Sequence, residues 1–332
     1  MIAPWVLSAG YPLLVASSHA AIASWKDLKR QAQSSQASTF ELSGSSFDSS
    51  DYDSAAAITA SIAIDGNGAV LDASKGTSST TRRFFSMETG DPALSLRSLT
   101  LANGYAVFTV YGGGAIYSCA GSVNLTNCTF TGNTAKGAMG GGAIFSGGPI
   151  FVVDTLFTSN TAGACGGGAI YAAGGAVTIV GSTFTSNDAG YNAGALYASA
   201  SAITVVDSNF SFNSAQKGGA IGLYSYRSTA AVVMLSNVTL RDNAASDQGA
   251  AVFCGSENKL TLNNSVVLSN NASASGGSVY VEDSGDVSAH CSTVNASRVV
   301  GNVSFSDACL PPQTYRDVHR LLERQRSVRV ST

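Results

Sequence analysis

The sequence predicts an all-β fold in which short strands coil into a parallel solenoid, and three observations predict it. The first is a pair of alternating motifs. One reads GGAI at Gly113–Ile116, Gly141–Ile144 and Gly167–Ile170, and continues as AGAL from Ala193, GGAI from Gly218, GAAV from Gly249 and GGSV from Gly276. The other reads FTGN from Phe130, FTSN from Phe157 and Phe184, FSFN from Phe210, LRDN from Leu240 and VLSN from Val267. The second observation is the period: successive copies of this second motif lie 27, 27, 26, 30 and 27 residues apart. Helical repeats need about 33 residues or more, and leucine-rich repeats need several Leu per unit, which these units lack. The third is composition, since Gly, Ser, Thr, Val, Ile, Phe and Asn dominate the repeats and favour short strands joined by turns over helices. Three strands and three turns per repeat give a parallel β-helix, each coil about 4.8 Å above the last.

Taken in chain order, residues 1–23 read as a signal peptide. The first 25 residues carry no Lys, Arg, Asp or Glu, "WVLSAGYPLLVA" is a short apolar segment, and Ala21-Ile22-Ala23 places small residues two apart, as signal peptidase requires. The competing reading is an apolar leader that packs on the domain. Residues 24–61 form an N-terminal cap: Ser24 and Asp27 have capping-box spacing before "LKRQA", so a short helix there closes the barrel. Residues 62–304 are the β-helix itself. Residues 305–332 are a basic C-terminal helix or tail, with Tyr315, Val318 and Leu322 on one helical face and Arg316, Arg320 and Arg324 on another.

Stacking gives each repeat position a meaning, because one register position becomes a column of like residues. Phe130, Phe157, Phe184 and Phe210, then Leu240 and Val267, form an apolar column that belongs inside. Asn133, Asn160, Asn187, Asn213, Asn243 and Asn270 form a structural ladder, each amide bonding its neighbours above and below, with the left-handed backbone that Asn tolerates. Three residues before each Phe or its equivalent lies another polar column, Asn127, Asp154, Gly181, Asp207, Asn237 and Asn264. The glycine pairs mark the bend before the next strand, where positive φ or close backbone approach excludes a side chain.

GGAI followed by FxxN is similar to the repeat pair of the polymorphic outer-membrane proteins, which are bacterial surface adhesins with a β-helical passenger. More broadly, the chain resembles the pectin-lyase-like superfamily of right-handed parallel β-helices. The resemblance covers about residues 112 to 302, and "ITASIAIDGNGAVLDAS" with "FFSMETGDPALSLRSLTLANG" is similar to the entry coils of such proteins. It implies a right-handed solenoid and a passenger-like surface role. The adhesins' C-terminal membrane barrel has no counterpart after residue 310, so a bacterial origin and their secretion route are not implied.

Composition narrows the partners. A net charge of -3 with 12% charged residues argues against nucleic acid, whose phosphates call for clustered Lys and Arg. No segment beyond the leader is long and apolar enough to span a bilayer. Six cysteines occur without a CxxC pair or a neighbouring His ligand set, so neither zinc nor another cofactor is expected; Cys291 and Cys309 are the first pair to test as a disulfide. Enzymes on this fold use clustered carboxylates, because proton donor and base or nucleophile must sit a few ångströms apart. Here Asp154 and Asp207 share a column but stand two coils apart with Gly181 between them, and their companions are turn-forming Asn. Glu282-Asp283-Ser284-Gly285-Asp286 reads as a polar turn or, alternatively, as loop oxygens for Ca²⁺. His290 stands beside Cys291 without an acid or serine motif. No catalytic set emerges.

One row suggests binding. The residue after each GGAI copy is Tyr117, Phe145, Tyr171, Tyr197, Gly222, Phe253 and Tyr280, aromatic in six of seven cases. If the preceding Ile points in, strand parity sends this row out, where it would suit a sugar ring or a partner protein. The competing reading has a flanking loop over the row, or reversed parity with the rings in the core. The function expected is a secreted or cell-surface, non-catalytic module for adhesion or for binding a glycan or surface protein. The alternative is a polysaccharide-active lyase or glycoside hydrolase. An ice-binding face, suggested by Thr129-Phe130-Thr131 and Thr183-Phe184-Thr185, is remote because two Thr pairs do not make a regular array.

Overall fold

The structure, a computed structural model, describes residues 21–306 apart from residues 35, 51, 75–80, 108–110, 138, 164, 226–228, 274–276, 283–284, 291–292, 296–298 and 301–302. The expected C-terminal helix and most of the expected signal peptide therefore lie outside the described residues. What is described is a parallel β-solenoid of about eight turns with one short helix near its start.

Three long sheets make the walls. The longest has 11 strands, from Ser38–Glu41 through Ser122–Thr126, Val177–Val180 and Lys259–Asn263 to Val303–Ser306. A 10-stranded sheet carries the strands that begin with the last residue of GGAI, such as Ile144–Ser146 and Ile170–Ala173. A 9-stranded sheet carries the FxxN strands, such as Thr129–Thr131 and Thr183–Thr185. Two lesser sheets, of 8 and 3 strands, close the coil between the FxxN turn and the next GGAI. Among the described residues, every strand pair is parallel except Thr81–Arg82 with Tyr105–Ala106.

Why these residues coil is visible at Gly141 and Gly142. A Cβ on Gly141 would lie on the carbonyl oxygen of Ile144, and one on Gly142 on that of Gly168 in the next coil, at 1.8 and 2.0 Å. Neither has a positive φ, so the glycine pair is demanded here by close backbone approach. Strand alternation then fills the interior: Val123 and Leu125, Ile150 and Val152, and Val177 and Ile179 are buried from one wall, the FxxN phenylalanines from another. Phe130, Phe157, Phe184 and Phe210 stack with centroids 4.9, 4.7 and 4.6 Å apart and planes within 9° of parallel.

The open lower end is covered. Ser24 accepts the Asp27 amide at 3.3 Å and starts the helix Trp25–Ala32. That helix turns Trp25, Leu28 and Ala32 into the barrel. The Trp25 ring meets Tyr52, Phe84 and Phe85 at 5.1, 5.8 and 6.0 Å. Ile22, on the leader side of the expected cleavage point, is buried and bridges Leu42.

Candidate functional site

The aromatic row lies outside the barrel wall, as parity requires, yet it is not an exposed stripe. Phe145, Tyr171 and Tyr197 form a hydrophobic cluster separate from the barrel interior, with Tyr117 and Tyr224 packed against it. Tyr171 is only 5% exposed and Phe253 1%, and Tyr117 and Tyr280 are half-buried. The expectation of a row free to meet a partner is corrected on this point. Side chains from the segments between FxxN and GGAI reach the rings. Tyr171 Oη lies 3.9 Å from Met139 Sδ, Tyr224 Oη donates to Asn192 Oδ1 at 2.6 Å, and Lys217 lies 4.8 Å over Phe253. The Arg83 guanidinium covers Tyr117 at 5.0 Å.

The row is also continuous where the sequence shows a gap. Gly222 stands in register with Tyr197 and Phe253, and Tyr224, two residues on, occupies its place. The ladder then runs Tyr117, Phe145, Tyr171, Tyr197, Tyr224, Phe253, Tyr280 with steps of 5.4, 5.1, 4.3, 4.8, 5.2 and 5.7 Å. Desolvation, with the neighbouring tyrosine as the next cause, holds the Tyr197 and Tyr224 phenols far above the ordinary tyrosine range. These phenols stay neutral at physiological pH.

The asparagine ladder has its expected bonds. Asn133 Nδ2 donates to Asn160 Oδ1, Asn160 to Asn187, Asn187 to Asn213, Asn213 to Asn243 and Asn243 to Asn270, at 2.9 to 3.0 Å. Each of these amides also donates to a carbonyl near the FxxN phenylalanine column, as Asn187 does to Phe157 at 3.1 Å. Its backbone expectation is corrected, however. The left-handed residue is the one before each Asn, with φ of 63° at Gly132, 55° at Ser159 and Ser186, and 57° at Phe212. The column Asn127, Asp154, Gly181, Asp207, Asn237 and Asn264 is left-handed too, between 46° and 59°.

A third ladder went unread in the sequence. Thr155, Ser182 and Ser208 hydroxyls each donate to the carbonyl two residues back and accept the backbone N–H of the coil before, as Ser182 does from Thr155 at 3.1 Å. The signal lay two residues before the Phe column, masked by Cys128 and Val238 at either side.

The carboxylates are built into turns. Asp154, Asp207 and Asp242 hold left-handed positions, and Asp207 accepts from Asn237 Nδ2 at 2.6 Å. Asp242 pairs with Arg241 at 2.9 Å. Glu282 Oε2 accepts the Ser256 amide at 3.1 Å and its hydroxyl at 3.3 Å, tying two coils together. Among the described residues, no group of three His, Cys, Asp and Glu side chains is placed to hold a metal ion; Asp283 lies outside them. Cys119, Cys128, Cys165 and Cys254 are free thiols, while Cys291 and Cys309 lie outside the described residues.

The outer side of the 9-stranded sheet is partly open to solvent. Thr129 and Thr131, Leu156 and Thr158, Thr183 and Thr185, and Asn209 and Ser211 flank the interior Phe residues in strict register. Apart from Ser211 they are half-buried, and no charged side chain interrupts these strands from Thr100–Ala102 to Asn209–Ser211. Hydroxyls at this spacing donate and accept hydrogen bonds to any polyhydroxylated or amide surface laid along the rod. The geometry thus defines a stacked parallel solenoid with regular side-chain columns on its outer faces.

Residues 113–297 match the family model described as right handed beta helix region. The match covers more than half the chain, which therefore belongs to this family, and it supports a pectin-lyase-like fold. No curated protein and no solved structure matches the chain significantly.

Proposed function

We propose that the chain is a secreted or cell-surface β-helical module that binds a glycan or a partner surface without catalysis, in the manner of an adhesin passenger. The observation that carries this reading is the uncharged, in-register face between Thr129 and Asn209, made of Thr and Asn side chains with Leu156 among them. A long array of weak polar contacts suits repeated ligands, because many small contributions add along the rod. The GGAI and FxxN pair, similar to the repeat of polymorphic outer-membrane proteins, supports the same surface role. The apolar, uncharged leader at residues 1–23 supports secretion.

The test is a glycan array on the purified protein beside a reducing-sugar release assay on every glycan that binds. Binding with no release of reducing ends is the expected result. Release would replace this reading with the alternative, a polysaccharide-active enzyme.

A further inference from the structure

Phe212 breaks the pattern of its own column. The turn residue before each ladder asparagine is left-handed, and the column reads Gly132, Ser159, Ser186, Phe212, Asp242, Ser269 with φ between 51° and 63°. Glycine and short polar residues suit that conformation, whereas a bulky aromatic one is disfavoured. Burial does not compensate for the strain. Phe212 is 55% exposed, the most exposed of the large hydrophobic side chains among the described residues. Residues held in disfavoured backbone conformations cluster at ligand clamps and active sites.

Its surroundings specify a ligand chemistry. The Arg241 guanidinium, one coil on, lies 5.5 Å from the ring centroid and is held by Asp242 at 2.9 Å. This pair cancels its own charge while placing donors and acceptors over one face of the ring and leaving the other face to a ligand. Thr185, one coil below, and Thr158 and Ser159, two coils below, continue the hydroxyl face. An aromatic face takes the C–H side of a sugar ring, and the neighbouring Arg, Asp and hydroxyls match its hydroxyl groups. Arg241 and Asp242 neutralise each other, so neither serves as a counter-ion to a charged sugar.

We propose that Phe212, with Arg241 and Asp242, anchors a subsite for a neutral pyranose at the end of the hydroxyl face. This rests on the glycan-binding reading above and names its anchor. The decisive variant is Phe212→Ser, because Ser159 and Ser186 already fit the same turn. Wild type and F212S are compared on an array of neutral and acidic oligosaccharides, followed by affinity and thermal-unfolding measurements. Wild type is expected to bind neutral oligosaccharides, and F212S to bind the same ones at least about tenfold more weakly, with a thermal midpoint equal to or above that of wild type. Unchanged affinity in F212S overturns the subsite and leaves the wider binding function standing. A preference of wild type for acidic sugars overturns the subsite as well. So does a lowered midpoint in F212S, which would make Phe212 structural. Wild type binding no glycan overturns both readings.

Discussion

Two aromatic ladders climb this molecule, one inside the barrel and one outside it, and they are built on different rules. Inside, Phe130, Phe157, Phe184 and Phe210 repeat one residue type and stack with planes 1° to 9° apart. Outside, Tyr and Phe alternate irregularly, planes tilt by up to 32°, and one rung is supplied by a residue two positions out of register. The inner column is enclosed on all sides, so its rungs repeat one ring shape over four coils before passing to Leu240 and Val267. The outer ladder is enclosed on one side by its own wall and on the other by a variable segment, which tolerates variety. Uniform sequence therefore reports enclosure on all sides, and a mixed aromatic row reports a surface that another part of the chain covers.

The largest expected effect separates the two ladders. Phe184→Ala should cost about 3–5 kcal/mol, the range for a fully buried Phe whose site cannot collapse. Phe145→Ala should cost less, about 1.5–3 kcal/mol, because the covering segment can settle onto the vacated space. Denaturant unfolding of the two variants checks this. Equal losses would mean that the outer ladder is as tightly enclosed as the inner one.

Next comes Asn187→Ala, which belongs to neither aromatic ladder but fixes the turn that follows the inner one. Asn187 donates to Phe157 and Asn213 and accepts from the amide and side chain of Asn160. Its loss strands buried polar groups on both neighbouring coils, for an expected cost of about 2–4 kcal/mol. Faster hydrogen exchange should be confined to the coils of Asn160 and Asn213. Exchange rising evenly along the whole rod would show instead that the coils unfold as one unit.

How far the sequence revealed these features follows from what repeats. Phe184 and Asn187 recur as identical letters at a fixed period, so their columns, their inward direction and the amide ladder were legible. The Thr155–Ser182–Ser208 ladder was not, because the role belongs to a hydroxyl rather than a residue type, and Cys128 and Val238 interrupt it. Asn tolerates left-handed φ, which put that conformation one residue late; Ser159 and Ser186 adopt it so that the Asn side chains can turn inward. Parity sent Tyr171 outward correctly, but coverage by Met139 depends on how the intervening segment bulges, which parity does not encode.

Alkaline pH should loosen the inner wall before the outer ladder. Burial pushes the Cys128 thiol up to about 11 and Cys254 to about 12, from an ordinary value of 9.0. Because the folded state holds these protons more tightly, their contribution is fully present below pH 9.0 and is lost as pH rises towards the folded values. The double variant Cys128→Ala with Cys254→Ala should flatten the decline in thermal midpoint above pH 9.0. An unaltered slope would assign the alkaline loss to other groups.

The smallest effect is the sharpest test of whether the outer ladder is one stack. A Cβ on Gly222 would come within 2.9 Å of Tyr224 Cε2 and 3.1 Å of Ala193 Cβ. The tyrosine ring is the end of a side chain that can swing away, so Gly222→Ala should cost only about 1 kcal/mol. The stack would nonetheless part on both sides of Tyr224, where the steps are now 4.8 and 5.2 Å. Near-ultraviolet circular dichroism should lose intensity in the tyrosine band while the far-ultraviolet spectrum stays constant. A near-ultraviolet spectrum identical to wild type would mean that Tyr224 remains in place over an alanine, and that Gly222 is not what admits it to the ladder.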